Sequence, residues 1–380
     1  MLKRAVVILT VSVLIFAFGF DSFCLEIDDL SAVSAVLYYP EYGKVLFEKN
    51  SDSLRSMAST TKIMTSLLAL EECTPDRVVE ITDEMVNVEG TSSGLRAGDK
   101  ITLRDLVYCM MLESGNDAAN SVAVAVGGSF DGFAEIMNKR AAEIGMKNTS
   151  FVTPSGLDDE NHYTTAYDMA LLAAEALENR EFFCISKESS KKITFVGSDK
   201  SVMLYNHNRL LREYEGCIGI KTGFTKKSGR CLVSAAERNG VTLVAVTLNA
   251  GDDWNDHRKM LDYGFSCVET MNADSDFSSY GVRVVGGTEN IALVESADVS
   301  INFLRDEGCN ITRKVYLEKF LYAPVKKGDI IGFAEYYNGE KLIKTVPLTA
   351  KNNVAVREKV KKESIWDRLS GLPGSWWKNG

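Results

Sequence analysis

Two short runs of alternating apolar residues open the part of the chain that follows residue 24. They lie at 35–39 and 44–47 and flank a turn that runs from Pro40 to Gly43. Alternation on both sides of a turn containing proline and glycine is typical of a β-hairpin. The first domain is therefore predicted to begin with sheet.

Apolar residues then recur three and four positions apart, which is the spacing of one face of an α-helix. This spacing begins at Ser59 and returns over 103–111, 121–126 and 167–177. The pattern predicts that a largely helical block fills the centre of the first domain.

Strands return near residue 216 as a predicted antiparallel meander. Its alternating segments are 216–224, 230–236 and 241–248. The dipeptide Asn239-Gly240 separates the last two segments and favours a tight hairpin turn. Sheet, helices and sheet again, with a helix ending near Phe265, predict one α+β domain over 27–268.

A second, smaller unit is predicted over 273–350. Short apolar segments alternate there with turn residues such as Gly286-Gly287 and Asn338-Gly339. Regular short strands of this kind predict a small all-β sandwich. Its sequence offers no candidate catalytic cluster.

The first 24 residues have the pattern of a secretory signal peptide. Lys3 and Arg4 precede an uncharged apolar run over 5–20, which is shorter than the ~20 residues that span a bilayer. Small residues suit cleavage after Gly19 or after Cys24, and an uncleaved N-terminal anchor is the alternative. We therefore expect secretion across the cytoplasmic membrane.

Charge is distributed unevenly along the 380 residues. The formal charge of −9 excludes the broad basic surface that nucleic-acid binding needs. Residues 356–380 nevertheless hold six basic and three acidic residues, together with three of the four tryptophans. Because such segments lie on membrane surfaces, 354–380 is predicted to be an amphipathic tail that holds the protein on the outer face of the membrane. A disordered basic tail is the alternative.

The sequence points to no metal and no cofactor. The three histidines, His162, His207 and His257, lie far apart and lack the spacing of metal ligands.

Candidate chemistry begins at Ser59-Thr60-Thr61-Lys62, where the first strong helical pattern starts. Residues three apart share a helix face, so the Ser59 hydroxyl and the Lys62 amine can meet. An amine that burial or nearby positive charge keeps partly deprotonated can take the hydroxyl proton. Ser-x-x-Lys also occurs at 189–192 and 375–378, so this motif alone does not identify a nucleophile.

Ser114-Gly115-Asn116 is predicted to lie in a loop between two helical segments. A hydroxyl and an amide there could relay a proton and hold a peptide carbonyl. Ser-x-Asn recurs at 300–302, where no such context surrounds it.

Lys221-Thr222-Gly223 closes an alternating strand. Lys221 and Thr222 offer a cation and a hydroxyl to a carboxylate, and Gly223 lets a substrate lie against the strand edge. The similar string at 227–229 falls in a turn. The three elements, in this order, form the set found in active-site serine penicillin-recognising enzymes.

Four segments, 57–65, 114–118, 156–163 and 219–225, resemble the D-alanyl-D-alanine carboxypeptidases, the low-molecular-weight penicillin-binding proteins. The resemblance covers most of 32–265. It implies a penicillin-binding, β-lactamase-like transpeptidase domain, in which an antiparallel sheet with helices joins a helical block. It further implies release of the terminal D-alanine from peptidoglycan pentapeptide stems through an acyl-serine intermediate, and covalent inhibition by β-lactams. The small β domain and the basic tail also resemble that family's layout.

The resemblance assigns a role to each candidate residue. Ser59 is the acylated nucleophile, Lys62 is its general base, and Ser114 relays a proton to the leaving amine. The expected substrate-binding residues are Asn116 for the substrate amide, Lys221 and Thr222 for the terminal carboxylate, Gly223 at the strand edge, and Phe224, whose backbone N–H completes an oxyanion hole with that of Ser59.

Two departures from the family pattern concern carboxylate binding. No arginine occurs over 249–256, where some members have one, and Ser155 stands where histidine is frequent.

Three alternatives stay open at this point. A class A β-lactamase needs a Glu-x-x-Leu-Asn string before Lys221, and the nearest candidate, 175–179, lacks the leucine. A D,D-endopeptidase that cleaves peptidoglycan cross-links would use the same residues. A catalytically idle penicillin-binding wall module would retain them without turnover.

Overall fold

The computed structural model describes residues 25–71 and 74–358. The predicted signal peptide, 1–24, and the tail beyond residue 358 lie outside them. The chain divides into two compact units, Met1–Cys267 and Val268–Gly380. Among the described residues, no helix combines the length and the apolar character needed to cross a membrane.

The first unit alternates sheet and helix along the chain. Its described helices are α1 Lys62–Glu71, α2 Asp83–Val86, α3 Leu103–Leu112, α4 Asn116–Gly127, α5 Phe130–Ile144, α6 Ala166–Glu178, α7 Arg180–Ser186, α8 Leu210–Glu213 and α9 Asp253–Ser266. Its described strands are β1 Ser34–Tyr39, β2 Lys44–Lys49, β3 Val78–Glu80, β4 Lys100–Thr102, β5 Ser190–Thr194, β6 Ser201–Tyr205, β7 Cys217–Thr225, β8 Gly229–Arg238 and β9 Val241–Ala250.

Five of these strands form the central sheet, in the order β2-β1-β9-β8-β7. Each neighbouring pair is antiparallel, in agreement with the predicted hairpin and meander. Asn239 and Gly240, between β8 and β9, have φ values of 53° and 73°, the left-handed conformation that a tight two-residue hairpin turn requires. β7 lies at one edge of the sheet.

Helices cover both faces of this sheet. Leu37 and Tyr38 are neighbours on β1 and therefore point to opposite faces. A Cβ placed on Gly264 of α9 would lie 2.8 Å from the Leu37 side chain, whereas the Tyr38 ring meets Tyr167 of α6 edge-on, with centroids 6.3 Å apart. Because α9 and α6 pack on opposite faces, every residue of β1 is buried.

The helical block follows β2 and shares one apolar core with the sheet. Thr102, Ser129 and Thr165 precede α3, α5 and α6, and each side chain accepts a hydrogen bond from the backbone N–H three residues later. Such caps satisfy amide groups that the first helical turn leaves without a partner. These caps define the first residues of α3, α5 and α6, and therefore where the loop before each helix ends.

The second unit is built of strands. They are β10 Val268–Ala273, β11 Gly281–Val285, β12 Ile291–Glu295, β13 Val299–Leu304, β14 Ile311–Leu317, β15 Leu321–Tyr322, β16 Ile330–Asn338 and β17 Lys341–Ala350. Six form a sheet in the order β14-β16-β17-β12-β11-β15, and β10 pairs with β13. Residues from both sheets share one core. β10 occupies the segment between the two predicted domains and belongs to this unit.

The start of the predicted tail is not helical. Val354 pairs with Val325, and Val356 pairs with Gly287, in antiparallel β-bridges. Backbone hydrogen bonds from Arg357 to Gly286 and from Thr288 to Ala355 hold this segment against the second unit. The described start of the predicted tail is therefore held to the second unit by backbone pairing, and the remainder, 359–380, lies outside the described residues.

Candidate active site

Ser59 lies in a tight turn that leads directly into α1. Residues Ala58–Thr61 form a single 3-10 turn, and α1 begins at Lys62. Ala58 has a φ of 48°, a left-handed conformation that costs an alanine about 1 kcal/mol or more and persists only where the surroundings hold it. Gly156 packs so closely that a Cβ there would lie 1.8 Å from the Ala58 carbonyl oxygen. The loop before α6 thus holds the residue that precedes Ser59.

The Lys62 side chain is fully buried beside Ser59. Its Nζ lies 2.9 Å from Ser59 Oγ, 2.8 Å from Asn116 Oδ1 and 2.7 Å from the Ser155 carbonyl oxygen. Burial lowers the pKa of Lys62 well below its ordinary value, the charge of Lys221 lowers it further, and Asp117 opposes the shift. A neutral amine therefore becomes accessible next to the Ser59 hydroxyl.

Ser114 lies in the short connection between α3 and α4, and Asn116 is the first residue of α4. Ser114 has a φ of 63° and is 8% exposed. Gly115 packs against Ser93, whose Oγ would lie 2.0 Å from a Cβ at this position. Because Gly115 has no side chain, the connection can pack closely against Ser93. This packing places Asn116 within hydrogen-bond distance of Lys62.

Asn116 makes hydrogen bonds within the protein. Its Oδ1 accepts from Lys62, and its Nδ2 donates to the Glu89 carbonyl oxygen at 2.6 Å. One N–H of the amide and one lone pair of Oδ1 are left for a substrate. Ser114 does not hydrogen-bond to Ser59 or Lys62, whose amine takes the three partners given above.

β7 forms the other wall of the site. A Cβ placed on Gly223 would lie 3.0 Å from the Ser59 nitrogen and 3.1 Å from the Thr60 nitrogen, which is tighter than most packed Cβ contacts. Glycine therefore lets the strand lie closer to the Ser59 turn than a residue with a Cβ would. Thr222 is partly exposed, and the Phe224 side chain is 66% exposed at the rim.

Lys221 is a second buried amine at this site. It is 1% exposed, and its Nζ donates to the Thr222 carbonyl oxygen at 2.9 Å. Burial lowers the pKa of Lys221 to about 7. A carboxylate ligand would favour the charged form of Lys221 and raise that pKa again.

Asp117 is a buried carboxylate whose charge acts on Lys62, and the sequence motifs assigned it no role. Its carboxylate accepts hydrogen bonds from Ser92 Oγ at 2.6 Å, from the Ser93 N–H at 2.9 Å and from the Leu95 N–H at 3.1 Å. It thereby holds the loop over 92–95 against the first turn of α4. The sequence feature that could have pointed to Asp117 is its position directly after the candidate residue Asn116.

The other copies of the motifs lie in different contexts. Residues 189–192 lie at the start of the β5–β6 hairpin, and 300–302 lie in β13. Residues 227–229 lie in the turn after β7 and at the first position of β8. The copy at 375–378 lies outside the described residues. Of the described copies, only Ser59-x-x-Lys62, Ser114-x-Asn116 and Lys221-Thr222-Gly223 meet at one site.

Comparisons with known proteins cover both units. Residues 22–252 match a family model described as D-alanyl-D-alanine carboxypeptidase, and residues 265–356 match that of the C-terminal domain of penicillin-binding protein 5. The chain is 33% identical to the D-alanyl-D-alanine carboxypeptidase DacF of Bacillus subtilis, over 91% of this chain and 90% of that protein. It is 31% identical to DacC of Escherichia coli, over 87% and 86% of the two chains.

Solved structures with the same fold include a carboxypeptidase and a transpeptidase. The D-alanyl-D-alanine carboxypeptidase DacD from Francisella tularensis is 27% identical, with a TM-score of 0.61, over 86% of this chain and 94% of that one. The Streptomyces K15 DD-transpeptidase is 32% identical, with a TM-score of 0.59, over 62% of this chain and 98% of that one.

Proposed function

Because the chain belongs to the D-alanyl-D-alanine carboxypeptidase family, we propose that Ser59, Lys62 and Ser114 carry out the family's reaction in it. The protein is a serine-type D-Ala-D-Ala carboxypeptidase that binds penicillin covalently, and its predicted family and fold are confirmed. The observation that carries the residue assignment is the 2.9 Å contact between the buried Lys62 amine and the Ser59 hydroxyl.

Acylation requires Lys62 to accept the hydroxyl proton of Ser59. In the neutral amine, two N–H bonds satisfy Asn116 and the Ser155 carbonyl, and the lone pair is left for the Ser59 hydroxyl proton. Ser59 Oγ then attacks the carbonyl carbon of the penultimate D-alanine as Lys62 takes the proton. The low pKa of Lys62 keeps this base neutral without a carboxylate partner.

The substrate lies along the open edge of β7. Lys221 and the Thr222 hydroxyl bind its terminal carboxylate, which restores the charge of Lys221. The absent side chain of Gly223 leaves room for the peptide beside the Ser59 turn. The N–H groups of Ser59 and Phe224 stabilise the negative oxygen of the tetrahedral intermediate.

Ser114 serves the leaving group. The amine of the terminal D-alanine must gain a proton as its bond to the carbonyl carbon breaks, and the Ser114 hydroxyl passes this proton on from Lys62. Water then attacks the ester carbonyl and releases the shortened peptide from Ser59. Asn116 holds Lys62 in place and offers its remaining amide capacity to the substrate.

The cellular setting follows from the substrate. Peptidoglycan stems lie outside the cytoplasmic membrane, so the enzyme acts there after export directed by residues 1–24. The basic, tryptophan-containing tail binds the outer face of the cytoplasmic membrane. β-Lactams reach the same serine and form a stable ester.

The test is mass spectrometry of the protein after incubation with penicillin and with a D-Ala-D-Ala peptide. Penicillin should add its mass to the peptide that contains Ser59, and the D-Ala-D-Ala peptide should lose one D-alanine. Ser59→Ala should lose both. Ser189→Ala is the matched control, because exposed Ser189 heads a second Ser-x-x-Lys and should leave both unchanged.

Labelling that survives in Ser59→Ala would refute the assignment of the nucleophile. Acylation without any release of D-alanine would favour the idle wall module. Faster cleavage of cross-linked dimers than of pentapeptides would reassign the enzyme to the endopeptidases.

A further inference from the structure

A buried histidine is linked to the Ser59 turn through Thr61. His162 is 3% exposed. Its Nδ1 accepts the backbone N–H groups of Val152 at 3.0 Å and Thr153 at 3.3 Å. Because Nδ1 accepts, the neutral ring carries its proton on Nε2. Nε2 lies 2.8 Å from Thr61 Oγ1 and therefore donates to it.

The chain of hydrogen bonds continues to the backbone beside the nucleophile. Thr61 Oγ1 donates to the Ala58 carbonyl oxygen at 2.8 Å. The C=O of Ala58 and the N–H of Ser59 belong to one peptide group. Each bond in this chain therefore has a defined donor and acceptor. Backbone N–H groups of the loop before α6 donate to His162, His162 donates to Thr61, and Thr61 donates to the Ala58 carbonyl. The N–H of that last peptide group, on Ser59, faces the substrate.

We propose that His162 and Thr61 are positioning residues, which orient and polarise the Ala58–Ser59 peptide group so that the Ser59 N–H becomes a stronger oxyanion donor. This inference rests on the proposed function, in which that N–H stabilises the tetrahedral intermediate. Both side chains are buried, so both act through the backbone and not by direct contact with the substrate.

Two physical effects support the proposal. A hydrogen bond to a carbonyl strengthens the N–H donor of the same peptide group, and chains of such bonds reinforce one another. The left-handed Ala58, with φ 48°, also needs its carbonyl held in place. Gly156 packs against one side of that oxygen, and the Thr61 hydroxyl bonds to it. Burial lowers the pKa of His162 to about 4, so the neutral ring persists through the neutral range.

The neighbouring threonine offers a matched control. Thr60 is equally buried, and its Oγ1 donates to the Met57 carbonyl oxygen at 2.6 Å. That bond also reaches three residues back, but it ends on the peptide group before Ala58. Thr60→Val and Thr61→Val each remove a hydroxyl-to-carbonyl hydrogen bond at the same depth. Thr61→Val also removes the bond from His162, and it alone weakens the peptide that donates to the oxyanion.

The experiment measures penicillin acylation of the full chain in single turnovers, which separates the dissociation constant of the first complex from the acylation rate constant. Thr61→Val should lower the rate constant by about 10- to 100-fold, less than loss of a whole oxyanion donor, and leave the dissociation constant within about twofold. Thr60→Val should stay within about threefold of the parent, and Thr61→Ser should recover most of the rate.

Infrared spectroscopy of the acyl-enzyme adds a readout that a merely structural role would not move. The ester carbonyl stretch falls in frequency as its hydrogen bonds strengthen, so Thr61→Val should shift it upward and Thr60→Val should not. Equal rate losses in the two valine variants, a loss confined to the dissociation constant, or an unshifted stretch would each overturn the proposal.

His162 provides a second pair of variants in case Thr61→Val fails to fold. His162→Gln retains an N–H donor near the Nε2 position, whereas His162→Met fills similar space without one. The glutamine variant should acylate faster than the methionine variant, and the reverse order would overturn the proposal. If the parent enzyme is not acylated at Ser59 at all, the proposed function fails, independently of these comparisons.

Discussion

The amine of Lys62 has three hydrogen-bond partners, and all of them are neutral: a hydroxyl, an amide and a backbone carbonyl. A charged ammonium in this position would lack a directly paired anion, while Lys221 adds a second positive charge nearby. The base is therefore prepared by what surrounds it, not by a dedicated partner such as the carboxylate of a Ser-His-Asp triad.

Removing the charge of Lys221 should change the pH dependence of acylation. Acylation needs neutral Lys62, so its rate rises with pH through the pKa of that amine. Lys221→Met removes a positive charge that lowers this pKa. The acid limb of the saturated acylation rate should therefore move to higher pH.

Lys226→Met is the control for this prediction, because Lys226 is exposed in the turn after β7. The Lys226→Met substitution should leave the acid limb of the pH profile of acylation unchanged. A limb that stays fixed in Lys221→Met, or moves to lower pH, would show that Lys221 does not act on Lys62 electrostatically.

A second buried histidine links stability to pH away from the active site. His257 lies between Ser234 Oγ, 2.5 Å from Nδ1, and Thr247 Oγ1, 2.9 Å from Nε2. Burial lowers its pKa from 6.5 to about 3. The unfolded chain therefore binds a proton at this residue from about pH 6.5 downward, and the folded chain does not until about pH 3. Stability contributed by His257 is complete above pH 6.5 and is lost as the pH falls through this window.

His257→Gln should lower the free energy of unfolding at pH 7 by about 1–3 kcal/mol, because buried hydroxyls lose a partner. It should also make that free energy fall less steeply between pH 7 and pH 5. Urea unfolding of both proteins at the two pH values measures this difference. The same decrease in both would show that His257 is not the group that takes up the proton.

At the scale of elements, glycines determine how closely β7 approaches the nucleophile. Gly223→Ala would place a Cβ 3.0 Å from the Ser59 nitrogen, so strand and turn must separate by a few tenths of an ångström. We expect a loss of stability of about 1–3 kcal/mol and acylation slower by about 10²-fold, because a small misplacement of the oxyanion donors is costly. Thermal unfolding and penicillin acylation measure the two effects.

Gly251→Ala is the matched control, since its Cβ would meet Ser31 at an ordinary 3.6 Å. It should change neither stability nor acylation by a measurable amount. If Gly223→Ala acylates as fast as Gly251→Ala, the close approach of β7 is not required for catalysis.

The elements predicted from sequence are those whose pattern is local. The first hairpin and the meander have alternation with turn residues between, and α1, α3, α4 and α6 have helical spacing. The β5–β6 hairpin was missed because each strand buries little: Ile193 and Leu204 are the buried residues of these strands. α5 was missed because its buried stripe is narrow, consisting of Phe133, Met137 and Ala141.

At the site, too, local sequence patterns predicted some features and missed others. The candidate residues could be named from motifs and a family resemblance, because each motif is contiguous in the chain. The contact between Thr61 and His162 spans 101 residues, and no local pattern specifies it. Adjacency to Asn116 places Asp117 near the site, but its role in holding a loop was hidden, because that loop lies 22 to 25 residues earlier.

On the scale of the whole molecule, the chain combines two units with separate cores and a basic end. Val354 and Val356 pair with the second unit, so a truncation that spares them should remove residues 359–380 alone. This protein should lose co-sedimentation with anionic vesicles and should retain hydrolysis of a soluble D-Ala-D-Ala peptide, because the three tryptophans and most of the clustered basic residues are then absent.

Neutral vesicles serve as the control in that experiment, since attraction to anionic lipid accounts for part of the expected binding. Full binding after truncation would locate the anchor elsewhere and would favour the alternative of an uncleaved N-terminal anchor. Loss of hydrolysis together with binding would mean that the tail also supports the fold.

The edge position of β7 has a consequence for solubility. An open strand edge that accepts a peptide can in principle accept the edge of another protein molecule and start aggregation. Here Ser186 donates to the Ile218 carbonyl oxygen at 2.8 Å and covers the start of the strand, and Asp158 accepts from the Thr225 hydroxyl at 3.0 Å near its end. Between them, the Ser59 turn closes in on Gly223. The open stretch is only a few residues long, so it admits the end of a flexible peptide but is too short to pair stably with a strand from a neighbouring molecule.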